Sequence, residues 1–361
     1  MKINRKIIIV MMLFSCLASV GCNKKNEPSK PQNDNYFVKL PKLGEQVGIN
    51  IKKSTESIYN IEKGKLNFLG NTANILELQY LKDKETYISL VGIKRGTELP
   101  QAIINISSGD KSLVIKDFYS AKNLRLSSKG SKLAFRTYTE DSISSADDVR
   151  IYDINGKRYN FDKEVLISGD LYKWLDDSNL LYYGVKKGEQ GYGAIYKYDF
   201  ATNTRTIIFD KFNGYCTNFF PLNSNEFIAL ENNMGQYSLF YYNFSNNMRI
   251  DVSSNFEKIF SVAIDTNIGN VYVIAKESNE ENNSLYSVNL TKRNVNRLVY
   301  DFPQSIDENT DLILDQEGKV YFVGYAQASS DNDVFQYDYT NKSVNLISNQ
   351  SGNYRLYSGA K

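Results

Sequence analysis

Seven times along this chain a short aromatic or aliphatic run is followed by Asp or Asn, an apolar residue and a turn. The marking residues are Asn60, Asn105, Asp153, Asp199, Asn243, Asn289 and Asp338, at intervals of 45, 48, 46, 44, 46 and 49 residues. Each precedes an apolar side chain: Ile61, Ile106, Ile154, Phe200, Phe244, Leu290 and Tyr339. A mid-forties period built from strand-forming segments is the period of a propeller, one four-stranded blade per repeat. The expected fold class is therefore all-β: a single β-propeller over residues 36–361 with seven four-stranded blades, eight being the alternative count.

A second element recurs roughly 14 to 20 residues before each marker from the second repeat on. These strand candidates are Tyr87–Leu90, Leu133–Phe135, Leu180–Tyr182, Phe227–Ala229, Val271–Val273 and Val320–Phe322. Five follow polar turns such as Ser127-Ser128-Lys129-Gly130-Ser131 or Asp315-Gln316-Glu317-Gly318, and most of those turns follow another apolar stretch. One repeat thus reads strand, tight turn, strand, variable loop, strand, Asx-type turn, strand: an antiparallel meander. The segment Tyr354–Tyr357 is expected to pair into the short first repeat and close the ring.

The recurring Asp or Asn is expected to be structural. Its side-chain oxygen can accept the N–H two residues on. Gly64, Gly109, Gly156, Asn203 and Asn247, a few residues later, can supply the left-handed backbone that closes each hairpin. A carboxylate array is disfavoured, because only three of the seven markers are Asp and the repeat would disperse them around a ring.

Segments such as Leu126–Phe135, Asp148–Asp153 and Trp174–Tyr182 resemble the repeats of TolB-like propellers. The resemblance covers most of residues 36–361 and implies the fold, since propellers of this kind serve as scaffolds, sensors and enzyme accessory domains. No α/β domain of the TolB kind is expected ahead of the repeats, so a Tol-system role is not implied. No prolyl-oligopeptidase-type catalytic domain is expected behind them.

The first 22 residues suggest an address. Lys2, Arg5 and Lys6 precede the apolar run Ile7–Ala18, which is too short to span a bilayer core of ~30 Å and reads as a cleaved signal peptide over 1–21. Ala18-Ser19-Val20-Gly21-Cys22 resembles the lipobox of bacterial lipoproteins, with Ser19 where that family usually carries Leu or Val. The resemblance implies diacylglyceryl and palmitate-type acylation of Cys22. Residues 22–35 hold no aliphatic or aromatic side chain beyond Cys22 and are expected to be a flexible tether. The expected location is the extracytoplasmic face of the cell membrane, through two anchoring acyl chains assisted by Lys24, Lys25 and Lys30.

Composition narrows the function classes. Setting aside the three basic residues of the signal peptide leaves 40 basic against 41 acidic residues, so no nucleic-acid partner is expected. Of three cysteines only Cys216 lies in the domain, which rules out an intramolecular disulfide there; a buried apolar role is expected for it. The sequence contains no histidine. That removes Ser-His-Asp and Cys-His nucleophilic catalysis and His-ligated zinc. No phosphate-cradling glycine motif is present, and no cofactor or metal is expected. The acidic clusters Glu280–Glu281 and Asp331–Asp333 match no calcium loop. Asp176 and Asp177 are adjacent at a turn and are expected to point apart. The chain is thus not expected to be an enzyme.

Binding is the expected work, carried by loops between the second and third strands: Glu140–Asp147, Lys187–Gly193, Asn232–Tyr237, Ser278–Asn283 and Ser329–Asp333. Gln190, Tyr192 and Tyr237 are the candidate contacts, because tyrosine gives large contact area at little entropic cost. The expected function is a binding, scaffold or sensor module for an envelope protein or peptide. The alternatives are a glycan-binding lipoprotein and a carboxylate-dependent glycan hydrolase.

Overall fold

The computed structural model describes residues 40–52, 55–266, 268–327 and 331–359. The signal peptide, Cys22 and the tether lie outside the described residues.

Alternating apolar and polar residues in runs of four to ten, punctuated by Asx and glycine turns, produce seven antiparallel sheets. Blade 1 is β1 (Gln46–Lys52), β2 (Thr55–Glu62) and β3 (Lys65–Thr72), and blade 2 is β4 (Ile75–Leu81), β5 (Thr86–Lys94), β6 (Gln101–Ser108) and β7 (Lys111–Ile115). Blade 3 has β8 (Ser120–Leu126), β9 (Lys132–Tyr138) and β10 (Ala146–Asp153). Blade 4 runs β11 (Val165–Trp174), β12 (Asn179–Lys186), β13 (Ala194–Asp199), β14 (Thr204–Phe209), and blade 5 runs β15 (Tyr215–Asn223), β16 (Glu226–Asn233), β17 (Gln236–Asn243), β18 (Met248–Ser253). Blade 6 is β19 (Phe256–Asp265), β20 (Asn270–Glu277), β21 (Ser284–Asn289) and β22 (Asn294–Arg297). In blade 7 two short pieces, β23 (Ser305–Ile306) and β24 (Ile313–Leu314), both pair with β25 (Lys319–Tyr325), which leads to β26 (Asp333–Asp338) and β27 (Ser343–Leu346).

The last strand, β28 (Tyr354–Ser358), pairs antiparallel with β1, Val47 facing Tyr357 and Ile49 facing Arg355. It becomes the first strand of blade 1, so the first and last strands of the propeller share one sheet and the ring is closed. Seven blades, and not eight, result.

The core lies between the sheets. Each of seven buried clusters joins two neighbouring blades, for example Leu181, Phe209, Phe219 and Phe240 between blades 4 and 5 and Ile61, Tyr321, Val334 and Leu356 between blades 7 and 1. This is where the 27 Tyr and 19 Phe of the chain do much of their packing: large rings fill the wedge between twisted sheets. Around the central channel, side chains of one blade's inner segment bond the backbone of a neighbouring blade. Arg355 donates to the Leu76 carbonyl (2.7 Å), and Glu77 accepts from the Asn123 and Leu124 N–H groups (2.8 and 2.7 Å). Trp174 Nε1 donates to Arg125 (2.8 Å), Asn218 to Ile259 (2.9 Å), and Ser261 accepts from Leu312 (2.9 Å).

The expected bond to the N–H two residues on forms in four of the seven copies, at Asp153, Asp199, Asn243 and Asp338, and at Asn289 it shifts one residue further, to Lys292. Asn60 and Asn105 depart from it: β2 and β6 continue past them, Asn60 Oδ1 accepts instead from the Gly44 N–H (2.7 Å), and the hairpins turn later. Gly64, Gly109, Gly156, Asn203 and Asn247 all have positive φ. Asp176 and Asp177 point apart. Asp176 caps its own turn through Ser178 and Asn179, while Asp177 reaches blade 3 to accept from the Ser127 and Ser131 hydroxyls at 2.6 Å each. Cys216 is buried, and burial pushes its thiol well above the ordinary range.

Candidate binding site

Blade 3 departs from the four-strand pattern. Its third strand, β10, has no fourth strand beside it; the following segment touches it only at its far end, through an isolated bridge between Tyr152 and Arg158. There the Tyr159 N–H donates to Ile151 (2.8 Å) and the Asp153 N–H to Lys157 (2.9 Å). The chain then leaves the edge because its side chains are held elsewhere. Phe161 stacks edge-on against Tyr182 and Tyr198 at 5.2 Å. Asp162 accepts from Tyr182 Oη (2.5 Å) and Arg205 (2.9 Å). Burial opposes the charge on Asp162, but these donors more than offset it and hold its carboxyl below the usual carboxylate range.

The space so vacated is a cleft of about 1090 Å³ between blades 3 and 4. One wall is the edge of β10, the other the Arg158–Lys163 segment and the start of β11, and its inner end reaches Lys122, Asn123, Asp170 and Asn309. Those four residues also line a channel cavity of about 630 Å³, so cleft and channel adjoin. The cleft is mixed in character. Exposed Arg158 and Lys163 and the carboxylates of Asp148 and Asp170 all line it, Tyr138, Tyr159 and Phe161 supply rings, and Ile143 and Leu166 are left 56% and 57% exposed.

Its shape is fixed by polar contacts. Arg136, buried on β9, donates to the carbonyls of Asp147 (2.7 Å), Ile167 (3.0 Å) and Gly169 (Nε, 3.0 Å), with a second, Nη2 bond to Gly169. One guanidinium thereby joins β10 to the bulge in β11, where Gly169 has a φ of 50°. Arg150 donates to Asp117 (2.6 Å), which also accepts from Tyr152. At the rim, Asp141 accepts the N–H groups of Thr97, Glu98 and Leu99 at 2.6 to 2.9 Å, while Glu98 accepts from Ile143 N–H (2.8 Å) and Ser142. The three backbone donors, Leu99 foremost, hold the Asp141 carboxyl below its ordinary range. This reciprocal clasp places Ile143 at the cleft mouth.

The channel carries a different chemistry. Glu77 is raised by burial, which the two backbone N–H bonds only partly counter. Lys173, on β11, is pushed down to about 7, first by burial and then by Arg125, against the pull of Asp170 and Asp311. Its ammonium lies 5.0 Å from the Phe220 ring.

The residues singled out from sequence fall elsewhere. Gln190 and Tyr192 lie exposed on the loop between β12 and β13, with the Tyr192 carbonyl accepting from Tyr183 Oη. Tyr237 sits on β17, partly buried against the core between blades 5 and 6, and lines a separate, shallower space of about 370 Å³. The expected long loop Asn232–Tyr237 is a two-residue turn, Met234-Gly235, both with positive φ, as a tight hairpin requires. Part of the loop Ser329–Asp333 lies outside the described residues; Asp333 itself accepts from Ser348 (2.7 Å) and Ser351 (2.8 Å). The structure brings none of the three candidate contacts to the blade 3–4 cleft. No local sequence signal marks the cleft, because Tyr159 and Phe161 alternate as an outer strand would.

No protein-family profile and no curated protein matches the chain. Solved structures do. The β-propeller domain of the Trilobed protease from Pyrococcus furiosus, which has an open velcro topology, aligns with a TM-score of 0.59 at 13% identity over 87% of this chain and 95% of that one. An oligogalacturonate lyase in complex with manganese gives 0.54 at 9% identity over 84% and 85%. TolB from Acinetobacter baumannii gives 0.49 at 14% identity over 86% and 82%. At these identities the first two likenesses establish the propeller fold, and that fold is shared by proteins of different activity.

Proposed function

We propose that this chain is a non-catalytic binding or scaffold module, held at the extracytoplasmic face of the cell membrane by a lipidated Cys22, and that an envelope protein or peptide is its partner. The observation that carries the reading is the cleft between blades 3 and 4: large, adjoining the channel, and fixed in shape by the Arg136 bonds and the Asp141–Glu98 clasp. A pre-formed cavity of this size with apolar surface and convergent polar groups is the usual form of a binding site.

Catalysis is the weaker reading on chemical grounds. The sequence has no histidine, the only domain cysteine is buried with a raised thiol pKa, and Asp162 in the cleft wall is held ionised by Tyr182 and Arg205. Glu77 is raised as a general acid would be, yet both its oxygens accept backbone N–H groups. A glycan ligand is the second reading, favoured by the rings of Tyr138, Tyr159 and Phe161 along the cleft.

In-cell crosslinking of the tagged, full-length protein, with mass spectrometry of the captured material, tests the proposal. One recurrent envelope protein, lost when Asp141→Ala loosens the rim, is the expected result. No protein above background, together with thermal stabilisation by cell-wall oligosaccharides, would replace it with the glycan reading. Metabolic labelling with a palmitate analogue, abolished by Cys22→Ser, tests the anchor.

A further inference from the structure

We propose that the partner is held by strand addition: an extended segment of another polypeptide lies antiparallel along β10 as the fourth strand of blade 3, its aliphatic side chains facing Ile143 and Leu166. This rests on the binding reading above and specifies its mode.

The recognising chemistry is an unfilled backbone edge. In the other six blades the third strand from the channel pairs with a fourth, and β10 has none. The Tyr152–Arg158 bridge sets which residues point outward: Ile151 and Asp153 bond the following segment, so Val149, two residues back, also faces out. Among the described residues, neither the N–H nor the C=O of Val149, which lines the cleft, has a bond on that side, while Ile151 beyond it is fully buried. The Asp147 carbonyl is taken by Arg136. An extended chain is what supplies alternate donors and acceptors to such an edge.

The geometry has room for one. The cleft runs beside Ala146–Arg150, and five residues of strand there span about 17 Å, comparable to the four to eight residues of the fourth strands elsewhere. Leu166 and Ile143 offer apolar contacts to alternate side chains, which argues for aliphatic residues in the guest. The chain's own residues 160–163 cannot take the place without withdrawing Phe161 from its aromatic neighbours and Asp162 from Tyr182 and Arg205. The occupant is assigned to another protein, and capture of residues 22–39 or of a second copy is an outcome of the test.

The test introduces p-benzoylphenylalanine in place of Leu166, of Ile143, or of Tyr192 on the loop outside the cleft, all exposed positions, in the full-length protein in cells. The expected result is photo-crosslinks from Leu166 and Ile143 to one short segment of one protein. That segment, as a synthetic peptide, should slow amide exchange at Val149, and N-methylation of its alternate amides should weaken binding by about tenfold or more, the loss of one or two net hydrogen bonds. Crosslinks from Tyr192 alone would overturn strand addition and leave the binding reading standing. No crosslink from any position would overturn both. Capture of residues 22–39 or of a second copy, or an N-methylated peptide binding as well as its parent, would overturn strand addition.

Discussion

Replacing Arg136 with methionine isolates the contact that joins blade 3 to blade 4. Methionine keeps most of the buried stem and removes the guanidinium, so the carbonyls of Asp147, Ile167 and Gly169 lose their donor. A bond to a charged donor is worth about 1.5–3 kcal/mol net when its partner stays buried. Here the cleft is open enough for water to reach some of the freed carbonyls, so the summed loss is put at about 3 kcal/mol, nearer one full bond than three. A domain of this size has an unfolding entropy of roughly 0.7 kcal/mol/K, which converts that loss into a fall in Tm of about 4–5 °C. Calorimetry of Arg136→Met beside Arg136→Lys reads it directly; the lysine retains a charge but not the fork geometry and should recover less than half. The bulge at Gly169 should also loosen, so that amide exchange at Ser168–Asp170 accelerates while that of blades 6 and 7 does not. A Tm change below about 1 °C in Arg136→Met would refute the reasoning, because the guanidinium would then contribute no more than water does.

The remaining predictions concern charge and closure. Lys173 is depressed to about 7 in the folded chain, so the unfolded chain binds the extra proton between that value and the ordinary lysine range. Its contribution to stability therefore rises with pH across this window. Lys173→Met should flatten the climb in Tm between pH 7 and 9, and a slope unchanged by the substitution would contradict the assignment. Asp177 is held below the carboxylate range by the Ser127 and Ser131 hydroxyls, which outweigh its burial. Its stabilisation is full above the ordinary carboxyl pKa and disappears as pH falls through the depressed one. Asp177→Asn should cost about 1–2 kcal/mol at pH 7 in urea titration, with the gap to wild type closing below about pH 4. Truncation after Gly352 removes β28 with its buried Tyr354 and Leu356 and exposes the β1 edge. A loss on the order of 5 kcal/mol and self-association on gel filtration are expected; a monomer of unchanged Tm would show that the ring does not need its closing strand.

How much could be read beforehand is best seen residue by residue. The second strands and the turn markers of most repeats were legible because they depend on near neighbours: an Asx oxygen reaches the N–H two residues on, and Asn203 or Asn247 closes the hairpin immediately after. Asn60 and Asn105 carry the same local signature but lie within strands, since the Gly44 N–H, sixteen residues distant, claims Asn60, and β6 runs on to Ser108. Asn232-Asn233-Met234-Gly235 is polar and turn-like and so predicts a loop reaching Tyr237, yet all but Met234 and Gly235 extend the strands. The cleft was not legible. Tyr159 and Phe161 alternate as an outer strand would, and nothing within the repeat reveals that Arg205, over forty residues on, draws Asp162 away from the edge.

The sequence by itself determined the repeat, its count, the all-β class and the elements that make each blade, because period, alternation and turn chemistry act over a few residues. It also carried the reading of the N-terminal address, which depends on a short linear segment. Tertiary structure alone decided the register in which β28 meets β1, that Glu77 and Arg355 bond the backbone of the next blade, and that blade 3 leaves β10 without a fourth strand. These outcomes depend on groups brought together from distant parts of the chain, where a small difference in packing and hydrogen bonding, not local pattern, selects the partner.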